Sequence, residues 1–488
     1  VPSSGIGHSF TYTLTGQRLT LTDPSGTTNY SLYDNRDRLK TKATPQGTLT
    51  YTYDAHGNVL TINSSNTNGA SLTYQYDALN RLSQVCDKRL DASCAVNGPG
   101  ITTYSYDTTG NLLGYAYPNT VKTSNVFDPL NRLTQTCSAT TTPACSAGTK
   151  LSSYLYGLGT AGNRLNVTEL NNRQVLYGYD NDYRLTSEAI SSDPSGNNGT
   201  VNYTQYDATG NRQTMTSTLN AVPGGTFSYD ANDRLTTDLY DNNGNTTSSA
   251  TITNFYDFEN RMLTHGSLSL TYDGDGNRVS ETVGGTTTKF LVDDHNPTRF
   301  PQVLDEIVSG SVTRTYAYGL QRISEDQLIS GNWTPNFYGY DGHGNVRFLT
   351  NSAGTITDTY TYDAFGMQIA HTGTTPNVFQ YSGEWLDSNA GLYYLRARYF
   401  NDATGRFWAR DPVWGKLCCG LSWNPYIYTR DNPVNAVDPT GRGLVEDAVF
   451  RVWYFTQITA PGYVAAAGGI EGGWSCLRSG RARSRNRV

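Results

Sequence analysis

One short phrase recurs along almost the whole chain. An aromatic residue is followed by Asp or Gly, a polar stretch with Gly or Asn, and then Arg or Asn before an apolar residue. It reads YDNRDRL at Tyr33, YDAHGNVL at Tyr53, YDALNRL at Tyr76 and YDTTGNLL at Tyr106. Further copies start at Phe127, Tyr179, Tyr206, Tyr229, Tyr256, Tyr272, Tyr340 and Tyr362, mostly 20 to 30 residues apart. Between Tyr272 and Tyr340 there is no clear copy. Self-similarity at such a period confines the chain to repeat architectures, in which each unit buries its apolar face only against its neighbours.

Each unit reads as a β-hairpin. Before Tyr53, Leu49, Tyr51 and Tyr53 alternate with Thr48, Thr50 and Thr52. Leu72, Tyr74 and Tyr76 repeat the pattern. Period-two alternation of this length is a strand with one buried face. Asp54, Gly57 and Asn58 then supply turn chemistry, and Leu60 and Ile62 resume the alternation on the returning strand. A lone hairpin is marginal in water, so successive hairpins are expected to share edges in one long sheet. The tyrosines would line one face, with hydroxyls free to bond across it. A ligand- or glycan-binding tyrosine stripe is the alternative.

Composition agrees. Hydrophobic residues are 36% and charged residues 16%, both low for a globular chain, yet aromatics reach 12% with 36 Tyr, which is not a disorder signature. The net charge of −6 gives no general attraction to nucleic acid or anionic membrane. The one basic run is terminal, with Arg478, Arg481, Arg483, Arg485 and Arg487. The longest apolar candidate, Ile458 to Ile470, is too short for a bilayer, which needs about 20 residues. The chain starts at Val1, so it reads as a processed or truncated piece of a protein with an upstream region.

Cys86 and Cys94 lie eight apart, as do Cys137 and Cys145, and both pairs follow a matching phrase, RLSQVC and RLTQTC. This suits loop disulfides in an oxidising compartment, with free thiols as the alternative. Neither pair has metal-ligand spacing or a nearby His. Cys418, Cys419 and Cys476 show no scheme. The six His are scattered, and no Ser-His-Asp signature, phosphate loop or cofactor motif stands out, so no turnover enzyme is expected.

The repeats resemble the YD repeats of bacterial RHS proteins, of toxin-complex C subunits and of teneurins, over roughly residues 10 to 441. The stretch FQYSGEWLDSNAGLYYLRARYFNDATGRFWARDP from Phe379, followed by WNPYIYTRDNPVNAVDPTG, resembles the RHS-associated core. The resemblance implies an all-β fold: tandem hairpins winding as a spiral sheet into a hollow shell, complete or incomplete at this length. It divides the chain into repeats (1–337), a core that closes the shell (338–441) and a variable C-terminal segment (442–488).

In several members of that family the core cuts the chain after its last DPxG by aspartyl chemistry. Carried over by motif, the carboxylates are Asp411 and Asp438, the stabilising cation is Arg398, and the cut falls between Gly441 and Arg442. Two like charges in one site resist ionising together, so one carboxyl keeps its proton as acid while the other acts as base. Here Gly415 comes one residue later than the motif has it, and Arg442 stands where the family has Leu or a similar residue. The alternative is that both Asp-Pro units are ordinary turns.

Beyond Gly441 the repeat texture ends. Leu444, Val445, Ala448, Val449 and Val452 have helix-like spacing. The last 47 residues are short for an independent enzyme fold and read as a cargo remnant, with a small membrane-active or nucleic-acid-binding effector as the alternative. The expected function is a bacterial, secreted or surface-exposed shell that holds and delivers its own C-terminal segment. Its expected partners are a delivery machine or an immunity protein. The competing reading is a surface adhesion module that binds carbohydrate.

Overall fold

The repeating Asp organises each turn. Asp34 donates its amide to the Arg38 carbonyl at 2.9 Å, and Asp37 donates back to the Asp34 carbonyl at 3.0 Å. Oδ1 of Asp34 accepts the amides of Arg36 and Arg38 at 2.8 and 3.1 Å, while Oδ2 takes Arg38 Nε at 2.7 Å. The turn therefore satisfies its own backbone, as short polar side chains do where a ladder ends. Its fourth residue is left-handed: Asp37, Asn80 and Asn131 in some copies, Gly57, Gly110 and Gly210 in others.

These two kinds of turn alternate without a break from Asp34 to Asn277. One closes with Arg (Arg38, Arg81, Arg132, Arg184), the other with Asn (Asn58, Asn111, Asn163, Asn211). Arg38, Arg81, Arg132, Arg184 and Arg261 pair with the Asp of their own turn, as Arg81 Nε does with Asp77 at 2.7 Å. Arg81 also reaches forward: it donates to the Asp107 carbonyl at 3.2 Å and lies over the Tyr106 ring at 4.5 Å. Arg38 and Arg184 sit likewise over Tyr53 and Tyr206. Asn58, Asn111, Asn211 and Asn245 reach forward differently, donating to the fourth residue of the next turn, as Asn111 does to Asn131 Oδ1 at 2.9 Å and Asn211 to Asp233 Oδ1 at 2.7 Å.

The repeat tyrosines clamp backward. Tyr53, Tyr76, Tyr106 and Tyr206 donate their hydroxyls to the carbonyls of Leu39, Val59, Leu82 and Leu185 in the preceding hairpin. The expectation of hydroxyls free to bond across a face is therefore corrected for these residues. A half-buried phenol needs a partner, and the adjacent strand end supplies one.

The computed structural model describes residues 7–95, 98–140, 145, 149–413, 415 and 420–446. The hairpins assemble in chain order into an antiparallel sheet of 19 strands, from Ser9–Tyr12 to Gly225–Thr226, and a second of 14, from Leu239–Tyr240 to Gln368–Thr372. Neither sheet closes on itself. The gap seen in the sequence holds regular strands, Thr286–Asp293, Gln302–Val308, Ser311–Tyr318, Arg322–Ile329 and Asn332–Tyr340. Helix among the described residues is confined to short 3-10 turns at Tyr381–Gly383, Gly420–Trp423 and Thr429–Asp431. No helix among them is long and apolar enough to cross a membrane.

The sheets share one core. Tyr51, Tyr74 and Tyr203 of the first sheet and Phe290, Tyr316 and Tyr338 of the second belong to the same buried cluster. Polar ties cross the seam. Asp305 accepts Ser64 Oγ at 2.6 Å and the Ala70 amide at 2.8 Å, and Asn119 Nδ2 donates to the Asn351 carbonyl at 2.8 Å. A four-stranded sheet follows: Trp385–Asp387, Leu392–Leu395, Arg398–Asn401 and Arg406–Phe407. Its Trp385, Phe400 and Phe407 extend the same core. Val445–Glu446 pairs antiparallel with Ala436–Val437. This overturns the expected helix at Val445, where ladder bonds to Val437 compete successfully with an isolated helical turn. Ala448, Val449 and Val452 lie outside the described residues, as do Cys418, Cys419 and Cys476.

Candidate self-cleavage site

The four-stranded sheet brings the three carried-over residues together. Arg398 opens the strand Arg398–Asn401, and its guanidinium lies over the Phe407 ring, 3.5 Å from the centroid. From there Nη2 donates to Asp411 Oδ2 at 2.8 Å and to Asp438 Oδ2 at 3.4 Å. Nη1 donates to the Pro425 carbonyl at 2.9 Å, which also accepts the Asp411 amide at 3.0 Å. Nε donates to the carbonyl of Gly441.

On the other side of that peptide, the Arg442 amide donates to Asp438 Oδ1 at 3.2 Å. The Gly443 amide reaches the same oxygen at 3.1 Å. The bond between Gly441 and Arg442 thus has its carbonyl oxygen on a cation and its nitrogen on a carboxylate.

Burial governs the electrostatics. Arg398 is 4% exposed and Asp438 3%, while the Asp411 side chain keeps 21%. Loss of water pushes both carboxyls above the usual carboxylate range, and Arg398 pulls each back only in part. Asp411 adds to the upward push on Asp438. The same burial lowers Arg398 despite its two anionic partners. Desolvation thus outweighs pairing at all three groups, while the guanidinium remains the cation of the site.

Gly441 has φ of +64° and a packing reason to be glycine: a Cβ there would lie 2.5 Å from the Leu395 carbonyl oxygen. The side chain of Arg442 is exposed, so the position that departs from the family motif makes no demand on the core. Gly415 backs onto Ser422, whose carbonyl oxygen would stand 2.5 Å from a Cβ at that position. Reading the sequence missed Phe407, Pro425 and Arg396 as parts of this site; Arg396, in LRARYF, was a visible signal.

The described cysteines lie elsewhere. Cys86 and Cys94 are joined by a disulfide, as are Cys137 and Cys145. A group with metal-ligand atoms, Asp293, Asp294 and His295, sits where the two sheets meet. Lys42 Nζ lies 3.2 Å from Asp294, His295 Nδ1 2.8 Å from it, and the Tyr51 hydroxyl 2.7 Å from Asp293. The chain's own ammonium already supplies positive charge there.

Comparison with known proteins agrees with this architecture. The family model described as teneurin YD-shell matches residues 3–140. The tRNA3(Ser)-specific nuclease WapA of Bacillus spizizenii is 32% identical over 52% of this chain, which is 12% of the nuclease. The toxin protein Tse5 of Pseudomonas aeruginosa is 42% identical over 14% of this chain and 5% of its own length. Among solved structures, TcdB2-TccC3 superposes with a TM-score of 0.72 at 18% identity, covering 89% of this chain and 26% of that one. The Photorhabdus luminescens Tc holotoxin pore gives the same TM-score at 18% identity over 91% of this chain and 25% of that one. The chain spans a small part of each of these relatives. In its repeats and fold the chain is similar to YD-shell proteins of the RHS type.

Proposed function

We propose that this chain is part of a bacterial YD shell, secreted or surface-exposed, that holds its own C-terminal segment as cargo and frees it by cutting itself between Gly441 and Arg442. In this reading residues 1–337 supply repeats, 338–441 the closing core and 442–488 the variable C-terminal segment, a short cargo or its remnant. The observation that carries it is the Arg398 guanidinium, which touches Asp411, Asp438 and the Gly441 carbonyl at once.

The chemistry follows from this arrangement. Asp411, the more exposed carboxylate, takes a proton from water, and the oxygen bonds to the Gly441 carbonyl carbon. The oxyanion that forms faces the Nε–H of Arg398. As that carbon becomes tetrahedral, the Arg442 nitrogen loses amide resonance and turns from donor to acceptor. Protonated Asp438 delivers its proton there, the C–N bond breaks, and a Gly441 carboxyl and an Arg442 amine result.

The adhesion reading draws less support. The repeat aromatics that would form a carbohydrate-binding stripe are committed to the wall: Tyr51, Tyr74 and Tyr203 are at most 1% exposed. Intact-mass measurement of the folded, incubated chain tests the proposal. Two fragments meeting at Gly441 and Arg442 are expected; a chain that stays at full mass contradicts it.

A further inference from the structure

The two-residue turn between the strands Leu392–Leu395 and Arg398–Asn401 grips the cleavage loop carbonyl by carbonyl. Arg396 Nη1 donates to the Pro439 carbonyl, the Ala397 amide to the Thr440 carbonyl at 3.2 Å, and Arg398 Nε to the Gly441 carbonyl. The two turn residues and the first residue of the next strand thus read three successive peptides. Arg396 itself has φ of +60°. The first position of such a turn favours Gly, and a long side chain held there is strained.

The same side chain is tied to the wall. Its Nη1 pairs with Glu384 at 2.9 Å, its Nε donates to the Pro301 carbonyl at 3.2 Å, and its guanidinium lies over the Phe300 ring at 5.3 Å. Phe300 and Pro301 lead into the strand Gln302–Val308 of the second sheet. Arg396 touches neither Asp411 nor Asp438 in the contacts that build the site.

We propose that Arg396 is a positioning residue: it sets which peptide of the 438–442 loop faces Arg398 and the two carboxylates, and it makes that register depend on the folded second sheet. This rests on the self-cleavage reading above. The cut would then wait for the repeat wall to be in place.

The test uses the full chain with Arg396→Gly, Arg396→Lys and Glu384→Gln, followed by intact mass and single-turnover rates. Gly relieves the strained φ but removes the grip. It should fold, cut about 100-fold more slowly and give fragments whose junction spreads to neighbouring peptides, since small misplacements of reacting groups cost about that much. Lys keeps the charge and the stem but loses the fork, and should also cut slowly should the Gly variant fail to fold. Glu384→Gln should fall between. The pH profile should keep its shape in every variant, because the titrating pair is untouched. A wild type that cuts, with Arg396→Gly and Arg396→Lys cutting the same bond at its rate, overturns the positioning role alone. A wild type that never cuts overturns the self-cleavage reading and this inference together.

Discussion

The Arg442 amide donates to Asp438 Oδ1 across 3.2 Å, so the nitrogen that would leave already rests on the group that would protonate it. Asp438→Asn keeps this shape but cannot supply the proton, and Asp411→Asn cannot accept one from water. Each variant should remain a single chain by intact mass while the wild type gives two. Arg398→Lys should cut slowly, because an ammonium cannot reach both carboxylates and the Gly441 carbonyl with a planar fork.

The rate of cutting should be bell-shaped in pH. With both carboxyls protonated there is no base, and with both ionised there is no acid. Burial raises both Asp411 and Asp438, so the half-protonated pair should persist above the ordinary carboxylate range of about 4. Single-turnover rates from pH 3 to 9 check this, with the pH points chosen at about one-unit steps. A rate that climbs steadily into alkali would point to a different mechanism.

Much of this was legible in the sequence. The Tyr-Asp phrase fixed each hairpin and its buried face because strand period and turn chemistry are local. The copies at Leu158–Gly159 and Tyr318–Gly319 were missed because Leu takes the aromatic position in the first and the second has a shorter loop, Tyr318 pairing with Arg322 where Tyr33 pairs with Leu39. The fate of the tyrosine hydroxyls was not legible, since their acceptors are backbone carbonyls in the preceding repeat. Asp411 and Asp438, 27 positions apart, could be named only through motif resemblance. The Pro425 carbonyl that fastens Asp411 and Arg398 has no sequence signature.

Turn arginines should matter for stability more than their surface position suggests. Arg81→Ala loses the Asp77 pair, the Asp107 carbonyl and the Tyr106 ring. A cost of about 1–2 kcal/mol is expected. Tyr106→Phe loses only its hydroxyl bond to Leu82, at 2.7 Å, and should cost about 1 kcal/mol. Denaturant titration of the two variants checks the order.

The disulfides Cys86–Cys94 and Cys137–Cys145 close short loops and should each contribute about 2–3 kcal/mol in the chain-entropy model. Non-reducing peptide mapping of protein from an oxidising compartment should find both links. Alkylated thiols at all four positions would contradict them.

Thermal stability should fall as pH rises from about 4 to about 7. Burial pushes Glu281, Glu325 and Asp431 up to about 7, and Asp87, Asp273 and Asp402 up to about 6. Raised above unfolded values of about 4, these groups favour the fold fully below pH 4 and lose that contribution as they ionise. The turn carboxylates act oppositely. Asp34 is held down to about 2 by Arg38, and hydrogen bonds within their turns outweigh desolvation to hold Asp54 and Asp107 down. Their contribution is lost as pH falls below about 4. Calorimetry should show a maximum near pH 4, where the two windows meet; a Tm that rises from about pH 5 to about 7 would contradict the burial argument.

The alternation of Arg-closed and Asn-closed turns imposes a parity rule on how such a wall can lengthen. Arg38, Arg81, Arg184 and Arg261 each hold the Tyr ring and the Asp carbonyl of the Asn-type neighbour ahead. Asn58, Asn111, Asn211 and Asn245 each give their amide to the fourth residue of the Arg-type neighbour ahead. Removing or duplicating a single hairpin would set like against like at the splice and strand two sets of hydrogen-bonding groups. Recombination that adds or deletes hairpins in twos leaves every junction matched, so the heritable unit of this array is the pair.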